Sequence, residues 1–114
     1  MKLLTQALRK QLPSLYSQEH EPDPLVICKF FHPMSSMTWY AIEGSPVDEN
    51  GYYDTDKEKV DFLFFGWINA DFPEMGYFSL AEMESVEVMG LRIERDLHFK
   101  PKKLSEVKKE HEAL

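Results

Sequence analysis

The ten residues from Val60 to Asn69, VDFLFFGWIN, carry large apolar side chains at both parities of an extended chain. Side chains alternate across a strand, so Phe62, Phe64, Gly66 and Ile68 share one face while Leu63, Phe65 and Trp67 share the other. A strand that is apolar front and back must be covered on both sides, which is unusual in a small antiparallel sheet. An N-terminal helix can cover one face. The second face needs the short segment Leu80–Val86, the C-terminal segment, or another chain. Left open, three such side chains, at about 150–250 Å² per aromatic ring, would exceed the few hundred Å² of apolar patch that soluble monomers tolerate. Cover from within the chain is the favoured expectation, and a protein or self-association interface is the alternative. Gly66 marks a close backbone approach or a bulge.

Around this strand the punctuation defines the other elements. Thr5 is placed to cap a short helix with Leu4, Ala7, Leu8 and Leu12 along its stripe. Pro13 disrupts it, and SQEHEPDP reads as a loop. LVICKFFH is rich in β-branched and aromatic residues and predicts a strand over Leu25–His32, with a second from about Met37 to Glu43. After the Val60–Asn69 strand, ADFPEMG turns and Tyr77–Leu80 pairs back. Ser79 and Glu82 form a capping box for a helix running to about Val86. Gly90 breaks that helix. LRIERDLHF is expected to be irregular first and extended towards Phe99, and LSEVKKEHEAL to be a polar helix capped by Ser105. The expectation is a single α+β domain over 1–114, with a mostly antiparallel sheet of four or five strands. Its divisions are an N-terminal helix and loop over 1–22, an acidic insert loop over 45–59 and a C-terminal helix or tail over 104–114.

At 114 residues and 43% apolar content the chain is long enough to bury roughly two-thirds of its unfolded surface. No apolar run approaches the length of about 18 residues that a bilayer span requires. The opening MKLLTQALRKQLPSL reads as structure, not as a signal peptide, because its leucines follow one helical face. The single Cys28 excludes an internal disulfide and suits a reducing cytoplasm. The net charge of −7 is uneven: residues 1–42 carry +1, residues 43–96 carry −10 and residues 97–114 carry +2. That acidic middle repels anionic ligands and attracts basic partners. The basic tail, with Lys100, Lys102, Lys103, Lys108 and Lys109, is the only region suited to weak nucleic-acid contact.

Taken in order, MKLLTQALRKQLPSLYSQE, TWYAIEG, DFLFFG, EMGYFSLAEMESV and GLRIERDLHFKPKKLSE resemble the bacterial domain-of-unknown-function family 2958. The resemblance spans nearly the whole chain. It implies a small accessory product of plasmids, conjugative elements and phages, often encoded among antirestriction and DNA-processing genes. The activity of such proteins is unassigned, so the resemblance carries no residue roles. The acidic insert Ser45–Lys59 departs from the family pattern.

Chemistry-bearing patterns are sparse. The acidic insert fails as an EF-hand loop in both registers: from Asp48, positions six and twelve are Tyr53 and Lys59, and from Asp54 they are Lys59 and Phe65. Asp96 and His98 could share a metal with His32, although no spacing demands it. Cys28 and His32 share a strand face roughly 13 Å apart, too far for a nucleophile–base pair, and a buried inert thiol is the better reading. Glu94, Arg95 and Asp96, with His98 or Glu43, form the one candidate corner for acid–base work, and it requires a common pocket. Against it stands a structural role for Arg95, whose rigid fork suits fixed partners. Phosphate loops, CxxC, HExxH and GxSxG are absent from the sequence, and no cofactor or metal is expected. Trp39, Glu43, Tyr52, Tyr53, Phe65 and Trp67 are the candidate partner-binding residues, because amphipathic aromatics beside acids suit an interface. The function expected is therefore that of a non-enzymatic binding protein engaging a protein partner, with homodimerisation as one form of it.

Overall fold

The computed structural model describes residues 1–48, 50 and 61–112. In chain order the elements are α1 (Gln6–Gln11), β1 (Leu25–Val26), β2 (Cys28–Phe31), β3 (Thr38–Val47), β4 (Asp61–Asn69), β5 (Glu74–Ser79), α2 (Leu80–Ser85), β6 (Glu87–Val88), β7 (Leu91–Arg92), β8 (Glu94–Arg95), β9 (Lys102–Lys103) and α3 (Leu104–Glu112). The central sheet has five antiparallel strands in the order β5-β4-β3-β2-β8, flanked by the two-stranded pairs β1-β9 and β6-β7. The α+β architecture with a mostly antiparallel sheet is as the sequence predicts.

β4 lies inside this sheet between β3 and β5, and both of its faces are used. Phe62 and Phe64 enter a core with Phe30, Trp39, Ala41 and Phe78, closed over by Leu3, Leu4 and Leu12 from the N-terminal segment and by Met83 from α2. Phe64 stacks on Phe78 at 5.3 Å and meets Phe30 edge-on at 5.5 Å, geometries that add to plain area burial. On the other face, Trp67 joins Val26, Tyr40 and Ile42 beneath Leu104 and Val107 of α3. The C-terminal helix is thus the internal cover, but only for the Trp67 end of the strand. Leu63 and Phe65 on the same face stay half-buried.

Two glycines make the close packing feasible. A Cβ on Gly66 would lie 1.8 Å from the Tyr40 carbonyl oxygen, so only glycine fits opposite Ala41. A Cβ on Gly44 would lie 2.3 Å from the Phe62 ring. Immediately beside the Ala41–Gly66 pair the β3–β4 register shifts between Ala41 and Glu43, a bulge at Ile42.

Several boundaries differ from expectation for identifiable reasons. β3 continues to Val47 instead of stopping at Glu43, so the start of the expected insert loop, Ser45–Val47, is strand. Pro46 is tolerated there because β2 pairs only with Thr38–Ala41, leaving that edge of β3 free of ladder bonds from β2. Residues 49 and 51–59 of the insert, including Tyr52 and Tyr53, lie outside the described residues. α1 is capped by Thr5, whose Oγ1 accepts from the Leu8 N–H at 3.2 Å, but its length is only six residues and Ala7 is exposed. Burial falls on the flanks, at Leu3, Leu4, Leu12 and Leu15. α2 starts as expected, with Ser79 Oγ accepting from the Glu82 N–H at 3.0 Å. LRIERDLHF is extended at its start, not towards Phe99: it holds β7, paired with β6, and β8, paired with β2, and then turns at Leu97–His98.

Ser105 does not cap α3, which begins one residue earlier at Leu104. The cap comes from Asp23, whose carboxylate accepts from the Ser105 N–H at 2.9 Å and from its hydroxyl at 2.6 Å. These bonds hold the Asp23 carboxyl below its ordinary pKa.

Candidate functional site

The half of the second sheet face that α3 leaves open is a groove of about 420 Å³, within the range of about 300–1,000 Å³ typical of ligand sites. Phe65 of β4 and Met75 and Tyr77 of β5 floor it, and Leu104 and Lys108 of α3 bound one end. Tyr16, Glu19 and Glu21 of the loop after α1 form the opposite wall. Phe65 and Tyr77 occupy directly opposed positions on β4 and β5, and their rings approach to 4.9 Å. Tyr77 and Met75 are 49% and 40% exposed.

The bulge at Ile42 builds the back of this groove, since Ile42 and Glu43 both line it although they are adjacent in sequence. Glu43 is only 3% exposed. Its Oε1 accepts from the Tyr16 N–H at 3.0 Å and its Oε2 from the Gln18 N–H at 2.7 Å. The Ser45 hydroxyl accepts from the Leu15 N–H at 3.0 Å, and the Gly44 N–H donates to the Pro13 carbonyl at 2.9 Å. Together these bonds clamp the Pro13–Gln18 loop onto β3. They hold Tyr16 in the left-handed region at φ 72°, a conformation that costs a residue other than glycine about 1–3 kcal/mol. In that position the Tyr16 ring meets Tyr77 edge-on at 6.5 Å. A hydrogen bond with Tyr16 is the first cause that pushes the Tyr77 phenol up to about 12, followed by burial and by the charges of Tyr16, Glu43 and Glu19.

Other residues singled out in the sequence are dispersed. Trp39 is in the first core and Trp67 lies under α3, so neither offers an open ring. The corner of Glu94, Arg95, Asp96 and His98 does not converge. Glu94 lines a cavity with Met1, Leu3 and Met83, while Asp96 and His98 line a separate one with Lys29 and Tyr40, and Glu43 belongs to the groove. Arg95 donates through Nη1 to the carbonyls of Lys2 and Leu3, tying the N-terminal segment to β8. Asp96 accepts from the His98 N–H at 2.9 Å and faces Lys29 at 4.0 Å. His32 uses both ring nitrogens: Nδ1 accepts from the Met34 N–H, so Nε2 carries the proton and donates to the Leu91 carbonyl. Burial raises the Cys28 thiol to about 12, which leaves it un-ionised. Lys102 is paired with Glu110 at 2.6 Å.

Sequence reasoning missed three contributors to this face. His111 follows Leu104 and Val107 at helical spacing, a readable signal, and its ring wedges edge-on between Tyr40 at 5.4 Å and Trp67 at 5.2 Å. Asp23 and Tyr16 act through residues 82 and 27 positions away, respectively, and nothing local announces either.

Fold and site together define a small α+β protein with a filled core on one sheet face and a half-open, acid-rimmed aromatic groove on the other. The family model for a protein of unknown function (DUF2958) matches residues 3–112, and the chain belongs to that family. No curated protein and no solved structure matches it. No helix among the described residues is long and apolar enough to cross a membrane.

Proposed function

We propose that this protein is a non-enzymatic binding module that engages a partner protein through the groove over Phe65, Met75 and Tyr77. The observation that carries this reading is the incomplete cover of a strand apolar on both faces: α3 shields Trp67 and leaves Phe65 only half-buried beside exposed Tyr77 and Met75. Aromatic and methionine side chains are enriched where proteins meet, and the acidic rim favours a basic partner. A mobile-element accessory role, with a basic host-defence protein as the target, is consistent with the acidic middle of the chain and with the gene context that the family resemblance implies. An enzyme is the weaker reading, because Glu94, Asp96 with His98, and Glu43 line three different cavities.

The test is site-specific photo-crosslinking in the producing cell. A photoreactive phenylalanine analogue replaces Tyr77 in one variant and Val88, exposed on the separate β6–β7 hairpin, in another. A discrete protein adduct at position 77 that is missing at position 88 is the expected result. Identical adduct patterns at the two positions, or none at either, overturn the reading.

A further inference from the structure

The second sheet face repeats one pairing. Lys29 stands 5.6 Å from the centre of the Tyr40 ring, Lys102 5.3 Å from Phe99 and Lys108 5.7 Å from Trp67. All three lie within the roughly 6 Å over which a ring quadrupole attracts a cation. The same face ends in the Phe65–Tyr77 pair, over which no lysine or arginine of the described residues stands. Lys108 borders the groove, but its ammonium is placed on Trp67.

Three carboxylates line the groove that holds this pair. Glu43 is almost wholly buried at the back of the groove, and no ion pair joins it to a lysine or arginine among the described residues. Its two backbone N–H bonds leave further lone pairs on a carboxylate that can accept about four. Glu19 and Glu21 add exposed carboxylates along one wall. Among the described residues, Glu43 has no lysine or arginine partner and the Phe65–Tyr77 rings carry no cation, whereas on the same face Lys29 serves both Tyr40 and Asp96, and Lys102 both Phe99 and Glu110. Cation–π attraction is stronger when the pair is withdrawn from water, so a recess strengthens it.

We infer that the groove is a receptor for a single cationic side chain, an arginine or lysine presented by a partner protein, with its charge over Phe65 and Tyr77 and close to Glu43. This deepens the binding reading above and rests on it. Charge complementarity selects this occupant: an acidic side chain would face Glu19, Glu21 and Glu43, and a purely apolar one would leave Glu43 unneutralised. The slender stem of arginine or lysine packs along Met75 and Phe65 while its head carries the charge.

The probes are three capped tripeptides, acetyl-Gly-X-Gly-amide, with X as arginine, lysine or citrulline, titrated into the full chain and followed by nuclear magnetic resonance. Citrulline keeps the shape of arginine and lacks its charge. The expected result is saturable shifts of the Met75 methyl and of the Phe65 and Tyr77 rings with arginine or lysine, and binding about three- to tenfold weaker with citrulline. Tyr77→Leu, at a half-exposed position that tolerates change, weakens the cationic peptide by a similar factor while Glu19→Gln weakens it less. Whichever cation binds more tightly identifies the preferred head group. Equal binding of citrulline overturns the cationic assignment and leaves the partner reading standing, since an apolar groove would still cross-link. Shifts confined to other surfaces, or no shifts at all, overturn the receptor itself. Loss of the position 77 cross-link with peptide binding intact would overturn only the protein-partner reading.

Discussion

Gly66 and Glu43 show how single residues set the groove's geometry. An alanine at 66 drives a methyl into the Tyr40 carbonyl, and backbone, unlike a side-chain tip, cannot step aside. Gly66→Ala is expected to cost about 3 kcal/mol or more, read as a lower denaturant midpoint in chemical unfolding. Glu43→Gln retains the shape but replaces one acceptor oxygen with a donor that faces the N–H of Tyr16 or Gln18. The expected cost is about 1–3 kcal/mol. The Pro13–Gln18 loop should also exchange its amide hydrogens faster than in the wild type, while protection in β4 is retained. Unchanged exchange at Tyr16 and Gln18 would show that the carboxylate does not hold the loop. The need for glycine at 66 was legible as a break in an apolar run. The task of Glu43 was not, because its partners lie 25 and 27 residues away.

At the level of elements, α3 is the piece whose position decides how much of the second face is open. Val107 is fully buried under it, and Val107→Ala should destabilise the protein by about 1–3 kcal/mol in thermal or denaturant melts. His111 sits at its C-terminal end, with Nδ1 accepting from the Asn69 amide at 2.8 Å and Nε2 2.5 Å from the Tyr40 hydroxyl. Burial, and then the charge of Lys29, lower its pKa below the ordinary 6.5, and Glu110 opposes that shift. A histidine whose folded pKa is depressed binds protons more readily when unfolded. Its contribution is therefore complete above pH 6.5 and is lost as pH falls through the lower folded value. The difference in melting temperature between the wild type and His111→Gln should shrink from pH 7.5 to pH 5; a constant difference would mean that His111 does not couple protonation to helix docking. The helix itself was legible as a polar segment following Pro101. Its cap was not, because Asp23 is brought to Ser105 only by the folded chain.

For the whole molecule, one sheet separates two cores, and each holds one of the two tryptophans: Trp39 in the first, Trp67 in the second. The cores share β3 and β4, so neither can be exposed without disturbing strands that line the other. Unfolding is expected to be a single cooperative transition, as for most domains of this size. In Trp39→Phe, fluorescence reports only the α3 side; in Trp67→Phe, only the α1–α2 side. Each should give the same midpoint as the far-ultraviolet signal of the same variant. A fluorescence midpoint in Trp39→Phe well below its far-ultraviolet midpoint would mean that α3 detaches before the sheet unfolds. Arg95 bears on the same unity, because its bonds to the carbonyls of Lys2 and Leu3 fasten the N-terminal cover to the last strand of the sheet.

Alternating and uninterrupted apolar runs, a capping box and proline punctuation were enough to determine a small α+β chain with one strand greasy on both sides. These signals are local, since a strand's two faces and a helix's cap follow from neighbours a few residues apart. Which segment covers each face, where the cover stops, and which acids meet which aromatic rings were decided only in three dimensions. Those outcomes depend on contacts between distant residues, such as Glu43 with the loop at Tyr16 and Asp23 with Ser105, and on a bulge that turns two successive side chains towards one groove.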